Sequence, residues 1–120
     1  MNRLRIKRIY DPPEADDGVR VLVDRLWPRG LSKEQARIDH WLKHIAPSDA
    51  LRKWYGHDDS HWDEFKRRYF DELAALDEPV TLLRKLMNEN TVTLLYSARS
   101  EAHNNAVALM EFLKRAGRQK

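Results

Sequence analysis

Apolar positions along this chain follow two periods. Leu4 to Tyr10, Arg20 to Leu26 and Thr91 to Ser97 are runs of strand length, and "VRVLVDRL" and "TVTLLYS" are nearly continuous in apolar or β-branched character. Such runs suit strands covered on both faces. The helical period takes over between and after them. Trp62, Phe65, Tyr69, Leu73 and Leu76 recur three or four residues apart as one buried stripe. Val80, Leu83 and Leu86 form a shorter stripe behind Pro79, which suits a first helical turn. Ala102, Ala106, Leu109, Met110 and Leu113 form the last, with Gly117 past its end.

The punctuation agrees. "DPPEADDG" (Asp11 to Gly18) is a loop between the first two strands. Ser32 with Gln35 makes a capping box, stapled by Leu31, for a short helix. Ser48 opens "DALRKWYG", which Gly56 stops, and Ser60 and Ser100 precede the second and last stripes as caps. Ile38 to Ala46 is ambiguous. Ile38, Trp41, Leu42 and Ile45 fit one helical face, and the segment also fits a strand ended by Pro47. Strands separated by helices predict an α/β fold: a single compact domain over residues 1–120, with a mostly parallel sheet of about four strands flanked by helices. Ligands of such sheets bind beyond the carboxyl ends of strands.

Composition narrows the function classes. A chain of 120 residues supports one core. Its 22 basic and 19 acidic residues give a net charge of only +3 and are interspersed, except in the Arg3 to Arg8 stretch. That basic face suits either phosphate or plain solvation. There is no apolar run of membrane-spanning length, and the basic start lacks the apolar core of a signal peptide, so a cytoplasmic location is expected. Zero Cys excludes a disulfide, a thiol nucleophile and Cys-ligated zinc.

Two strand ends carry the candidate chemistry. In "VDRLWPRGLSKE", Asp24, Arg25, Trp27, Arg29 and Lys33 follow Val23 closely. Arginine forks match carboxylate or phosphate oxygens, and a tryptophan can stack on a ring. Lys33 in a first helical turn opposes the helix dipole unless an anion is near. Asp24 paired to an arginine, with Trp27 in the core, accounts for the same residues without a ligand. In "LLYSARSEAHNNA", Tyr96, Ser97, Arg99, Ser100, His103 and Asn104 surround the turn from strand to helix. That turn suits an anion, although the glycines of a phosphate-binding loop are missing. If the two strands are neighbours, their arginines converge and call for a negative partner.

Other patterns are weaker. His40 and His44 have the i, i+4 spacing of metal ligands only if they lie on a helix, and no metal or cofactor is expected. Asp58 and Asp59 read as a complement to a helix dipole. Ser97 is not in a nucleophile elbow.

Taken together, "VDRLWPRGLSKE", "IDHWLKHIAPSDALRKWYGHD", Trp62, Phe65, Arg68 and Tyr69, and "TLLYSARSEAHNNAVAL" resemble the YeaO-like branch of the domain-of-unknown-function 488 family over nearly the whole chain. The resemblance implies a prokaryotic cytoplasmic α/β domain, a strand around Ile38 to Ala46, and no established activity. The matching positions are Asp24, Arg25, Trp27, Pro28, Arg29, Gly30 and Lys33; Trp41, Lys43, Ala46, Pro47 and Ser48; and Tyr96, Ala98, Arg99 and Asn104. Longer members of the wider family have cysteines after the last strand. This chain has Tyr96, Ser97 and Arg99 there, so thiol or metal chemistry does not transfer.

The expectation is an arginine-lined pocket for an anionic small molecule: a nucleotide, a phosphorylated metabolite or a modified base. Arg25, Arg29 and Arg99 would bind charge, and Trp27 and Tyr96 would form aromatic walls. Asp24 and His103 are the acid–base candidates if the protein is an enzyme, which the sequence leaves open. A nucleic-acid-binding accessory protein using the Arg3, Arg5 and Lys7 face ranks second. An interaction module anchored by Trp27 or Trp54 ranks third. Oligomeric state is not legible.

Overall fold

The computed structural model describes residues 3–56 and 58–118. The ends of the expected domain and His57 of the "WYGHD" stretch lie outside the described residues. The elements are β1 (Leu4–Arg8), β2 (Val19–Leu22), α1 (Lys33–Ala36), β3 (His40–Trp41), α2 (Asp49–Tyr55), α3 (Trp62–Ala74), α4 (Asp77–Glu89), β4 (Val92–Tyr96) and α5 (Asn105–Arg118). The sheet order is β1-β4-β2-β3, with all neighbours parallel. The expected α/β class and four-stranded parallel sheet therefore hold.

β4 is central, pairing Leu94 with Ile6 on one side and Val21 on the other. All five of its residues are buried, as its apolar run requires. Alternation splits them between two layers. Val92, Leu94 and Tyr96 join Val21 and Val23 against Phe65, Tyr69, Leu83 and Leu109 of the helices. Leu95 and Leu22 face the other way, toward Ile9, Ala36 and Trp27. That thinner layer is completed by the β1–β2 crossover, where Thr93 Oγ1 donates to the Asp17 carbonyl at 2.7 Å.

Several boundaries differ from the expected ones. β2 ends at Leu22 rather than Leu26, although Val23 still donates to the Leu95 carbonyl at 3.1 Å. The Ile38–Ala46 segment is neither one helix nor one strand: a two-residue strand is followed by a 3₁₀ turn over Lys43–Ile45. His40 and His44 therefore do not share a helix face. Ser60 is not a cap, because Asp58 caps a 3₁₀ turn (Asp59–His61) ahead of α3. α3 closes at Ala74, which leaves Leu76 between helices but still packed on the core. Asn104, not Ser100, caps α5, its Oδ1 accepting from Val107 N at 3.0 Å. Gly117 lies within α5 rather than beyond it. The Ser32–Gln35 capping box, the Ser48 cap and the Gly56 stop are present as expected.

Candidate functional site

The carboxyl ends of β1, β2 and β4 open into one cleft of about 1240 Å³. Its floor is made by the segments after β2 and β4, and α2 forms one wall. The neighbouring positions of β2 and β4 bring the two candidate stretches together. Asp24 joins them. Its Oδ2 accepts from Ser97 N at 2.9 Å and Ser97 Oγ at 2.7 Å, and its Oδ1 accepts from Asn105 Nδ2 at 3.0 Å. Asn105 also donates to the Val23 carbonyl at 3.0 Å. The Asp24 carbonyl accepts from Trp41 Nε1 at 2.7 Å. Asp24 is thus a clamp between strand ends and α5, and its partners are a serine and an asparagine rather than an arginine.

The other polar groups divide by whether the fold engages them. Arg25 Nη2 donates to the Ala46 and Pro47 carbonyls, both at 3.3 Å, and its Nε lies 3.8 Å from Asp49. Arg8, which the sequence did not single out, donates to the Ala98 and Ser97 carbonyls at 3.0 and 3.2 Å and covers the Tyr10 ring at 4.8 Å. Arg52 pairs with Asp49 at 3.1 Å. Trp27 is held by Nε1–H donation to the Leu31 carbonyl at 2.6 Å and by an edge contact with Trp41. Ser100 Oγ accepts from His103 N at 3.0 Å, and Asn104 Nδ2 donates back to the Ser100 carbonyl at 2.9 Å. By contrast, no hydrogen bond or ion pair among the described residues engages the side chains of Arg29, Lys53 or Arg99, and all three line the cleft.

Lys33 and Tyr96 do not line it. Lys33 is exposed on α1. Tyr96 is buried beside a separate hollow of about 260 Å³, shared with Asp11 and Glu101. Burial and those two carboxylates push its phenol above the ordinary range. Trp54 is half-buried between the Arg68 guanidinium at 4.1 Å and the His61 ring at 4.7 Å, so it does not stand out as a free anchor.

A second charged group escaped sequence reasoning. Asp17 and Arg20 are both buried and bonded at 2.5 Å. Arg20 also donates to the Ala36 carbonyl at 2.8 Å and to the Arg37 carbonyl at 3.2 Å, satisfying carbonyls at the C-terminal end of α1. Lys7 Nζ reaches Glu14 at 2.8 Å and Asp17 at 3.2 Å. Burial alone would raise the Asp17 carboxyl, but the Glu14 N–H, Arg20 and Lys7 outweigh it and hold it below the usual range. Burial likewise opposes the Lys7 charge, and Glu14 and Asp17 overcome it, raising the ammonium. The only early signal was an acidic loop flanked by basic strands. This cluster fastens the crossover and lies outside the cleft.

Among the described residues, no group of three His, Asp or Glu side chains is placed to hold a metal ion. No described helix is long and apolar enough to cross a membrane.

The sequence profile of the family described as "Inactive DUF488-N3 subclade" matches residues 3–120. The chain is 44% identical over 114 residues to an uncharacterized protein of Mycobacterium tuberculosis, Rv3073c, with 92% of this chain and 93% of that one covered. It is 40% identical over 111 residues to the uncharacterized protein YeaO of Escherichia coli K12, with 92% of this chain and 96% of YeaO covered. No solved structure shows a significant match. The profile match, together with full-length relatives at these identities, means that the chain belongs to the YeaO-like DUF488 family.

Proposed function

We propose that the cleft binds an anionic small molecule, of the class of nucleotides, phosphorylated metabolites or modified bases, and that this chain holds its ligand without turning it over. The observation that carries the reading is the trio of cationic side chains, Arg29, Lys53 and Arg99, without a partner among the described residues, around one concave site. Like charges gathered in one cleft repel unless an anion joins them. Arginine forks suit phosphate or carboxylate oxygens. The Trp27 indole, fixed by its bonds, supplies an apolar wall.

Binding is favoured over catalysis on chemical grounds. Each Asp24 oxygen already accepts from Ser97 or Asn105, which leaves it poorly placed as a base. There is no cysteine to act as a nucleophile, and the matching family bears the description inactive. A cytoplasmic site of action goes with this ligand class. The nucleic-acid alternative has less support, because Arg5 and Lys7 of the basic strand are engaged by the crossover.

A thermal-shift screen of nucleotides, sugar phosphates and small carboxylates, on wild type and Arg99→Ala, tests the reading. A ligand at one hundred times its Kd adds about 2.7 kcal/mol of stability. A shift in wild type that is lost in Arg99→Ala supports the pocket. No shift with any compound, in two equally stable proteins, refutes it.

A further inference from the structure

The cleft is lined by a single imidazole among the described residues, that of His103. Its ring stacks on Trp62 with centroids 4.6 Å apart and planes 20° from parallel. Its Nδ1 lies 3.0 Å from Asp59 Oδ1. The Tyr55 hydroxyl donates to the same oxygen at 3.4 Å. The ring is therefore oriented by three separate segments: α2 through Tyr55, the turn before α3 through Asp59, and α3 through Trp62. A carboxylate only accepts, and Nδ1 is the ring nitrogen that faces it, so the pair favours the tautomer with the hydrogen on Nδ1. In the neutral ring this leaves Nε2 as a bare acceptor. No described residue bonds Nε2.

We infer that His103 makes the site selective for an anion that also bears a hydroxyl, a phosphate ester of a sugar or polyol. In this arrangement the phosphate sits among Arg29, Lys53 and Arg99, and a ligand hydroxyl donates to His103 Nε2. The inference rests on the anion-binding reading above. Arginine and lysine side chains can only donate, and the Asp24 oxygens already accept three bonds from Ser97 and Asn105. A ligand hydroxyl therefore finds in His103 Nε2 an acceptor that the fold has left unused. Asp59 is a positioning residue: facing Nδ1 at 3.0 Å, it favours the tautomer that makes Nε2 an acceptor.

Calorimetry with methyl phosphate and ribose 5-phosphate tests this, on wild type, His103→Phe and Asp59→Ala. Phenylalanine keeps the stack on Trp62 and removes the nitrogens. Wild type is expected to favour ribose 5-phosphate by about tenfold, the worth of one well-made hydrogen bond in a partly dry site. His103→Phe should erase that preference and leave methyl phosphate binding within about twofold. Asp59→Ala should weaken the preference, and nitrogen-15 NMR of wild type should show His103 protonated at Nδ1 when neutral. A preference that survives in His103→Phe, equal affinities in wild type, or a hydrogen on Nε2 of the neutral ring overturns the inference while leaving the anion site standing. Binding of neither compound overturns both.

Discussion

Replacing Asp24 with alanine separates a clamp from a ligand-binding carboxylate. In the folded chain its two oxygens accept three hydrogen bonds, from Ser97 N, Ser97 Oγ and Asn105 Nδ2, at 2.7 to 3.0 Å. Bonds to a charged acceptor contribute about 1.5 to 3 kcal/mol each when dry. Asp24 is half-buried, and water replaces part of what is lost, so about 1 kcal/mol per bond is the better figure, or roughly 3 kcal/mol in all. For a domain of this size that corresponds to a fall in Tm on the order of 10 °C. Asp24→Asn should cost about half as much, because turning its amide either way sets an N–H against one of the donors. Urea unfolding followed by the four tryptophans measures each variant. The cycle of Asp24→Ala with Asn105→Ala should show a coupling of about 1 kcal/mol. A loss below about 0.5 kcal/mol, or a gain, would refute the clamp, since residues reserved for ligands commonly cost the free protein stability.

Further outcomes follow from the crossover and the cleft rim. Asp17 is held below its ordinary range, so its stabilising contribution is present above about pH 4 and is lost as pH falls through the folded value; Asp17→Asn should flatten that acid limb in a Tm-against-pH series. Lys7 is raised, so its contribution is complete below about pH 10 and fades as pH rises further, and Lys7→Met should remove that alkaline limb. Arg20→Leu leaves Asp17 buried without its partner and should cost about 3 to 5 kcal/mol by denaturant titration. Gly18 has φ +63, and a Cβ there would meet the Thr91 carbonyl oxygen at 2.2 Å; Gly18→Ala should lose more than about 2 kcal/mol in the same assay. Arg29→Ala removes no bond and should change stability by less than about 0.5 kcal/mol.

What the sequence disclosed depended on the range of the interaction. The α3 stripe was legible because a buried face imposes its period locally, and Trp62, Phe65, Tyr69 and Leu73 are all buried. The end of α3 was not legible, because Leu76 packs in the same core after the helix has stopped. Ile38, Leu42 and Ile45 fitted two templates because their burial is set by a two-residue strand and a 3₁₀ turn, neither long enough to show a period. Ser100 and Asn104 are both capping residue types, and in the structure Ser100 caps the turn before α5, accepting from His103 N, while Asn104 caps α5 itself. The arginines of the site were visible as residues, but their partners were not. Asp24 meets Ser97 and Asn105 across 73 and 81 positions. Arg20 was hidden in a strand whose alternation turned it inward onto Asp17.

Those partnerships bear on why so much charge stands at one strand mouth. Had Asp24 paired with Arg25 or Arg29, the cluster would have been self-contained. Instead the fold meets the demands of Asp24 with uncharged donors and anchors Arg25 on the Ala46 and Pro47 carbonyls. Arg8 is likewise committed to carbonyls of the segment after β4. These carbonyl contacts hold the backbone around the cleft, and Arg25 also lies 3.8 Å from the Asp49 carboxylate. Arg29, Lys53 and Arg99 stand on three different segments, and among the described residues no hydrogen bond or ion pair engages their side chains. On the reading proposed above, such a floor under cations without a described partner would be preorganised for an anion, because the cost of gathering the positive charge would be met in folding rather than at the moment of binding.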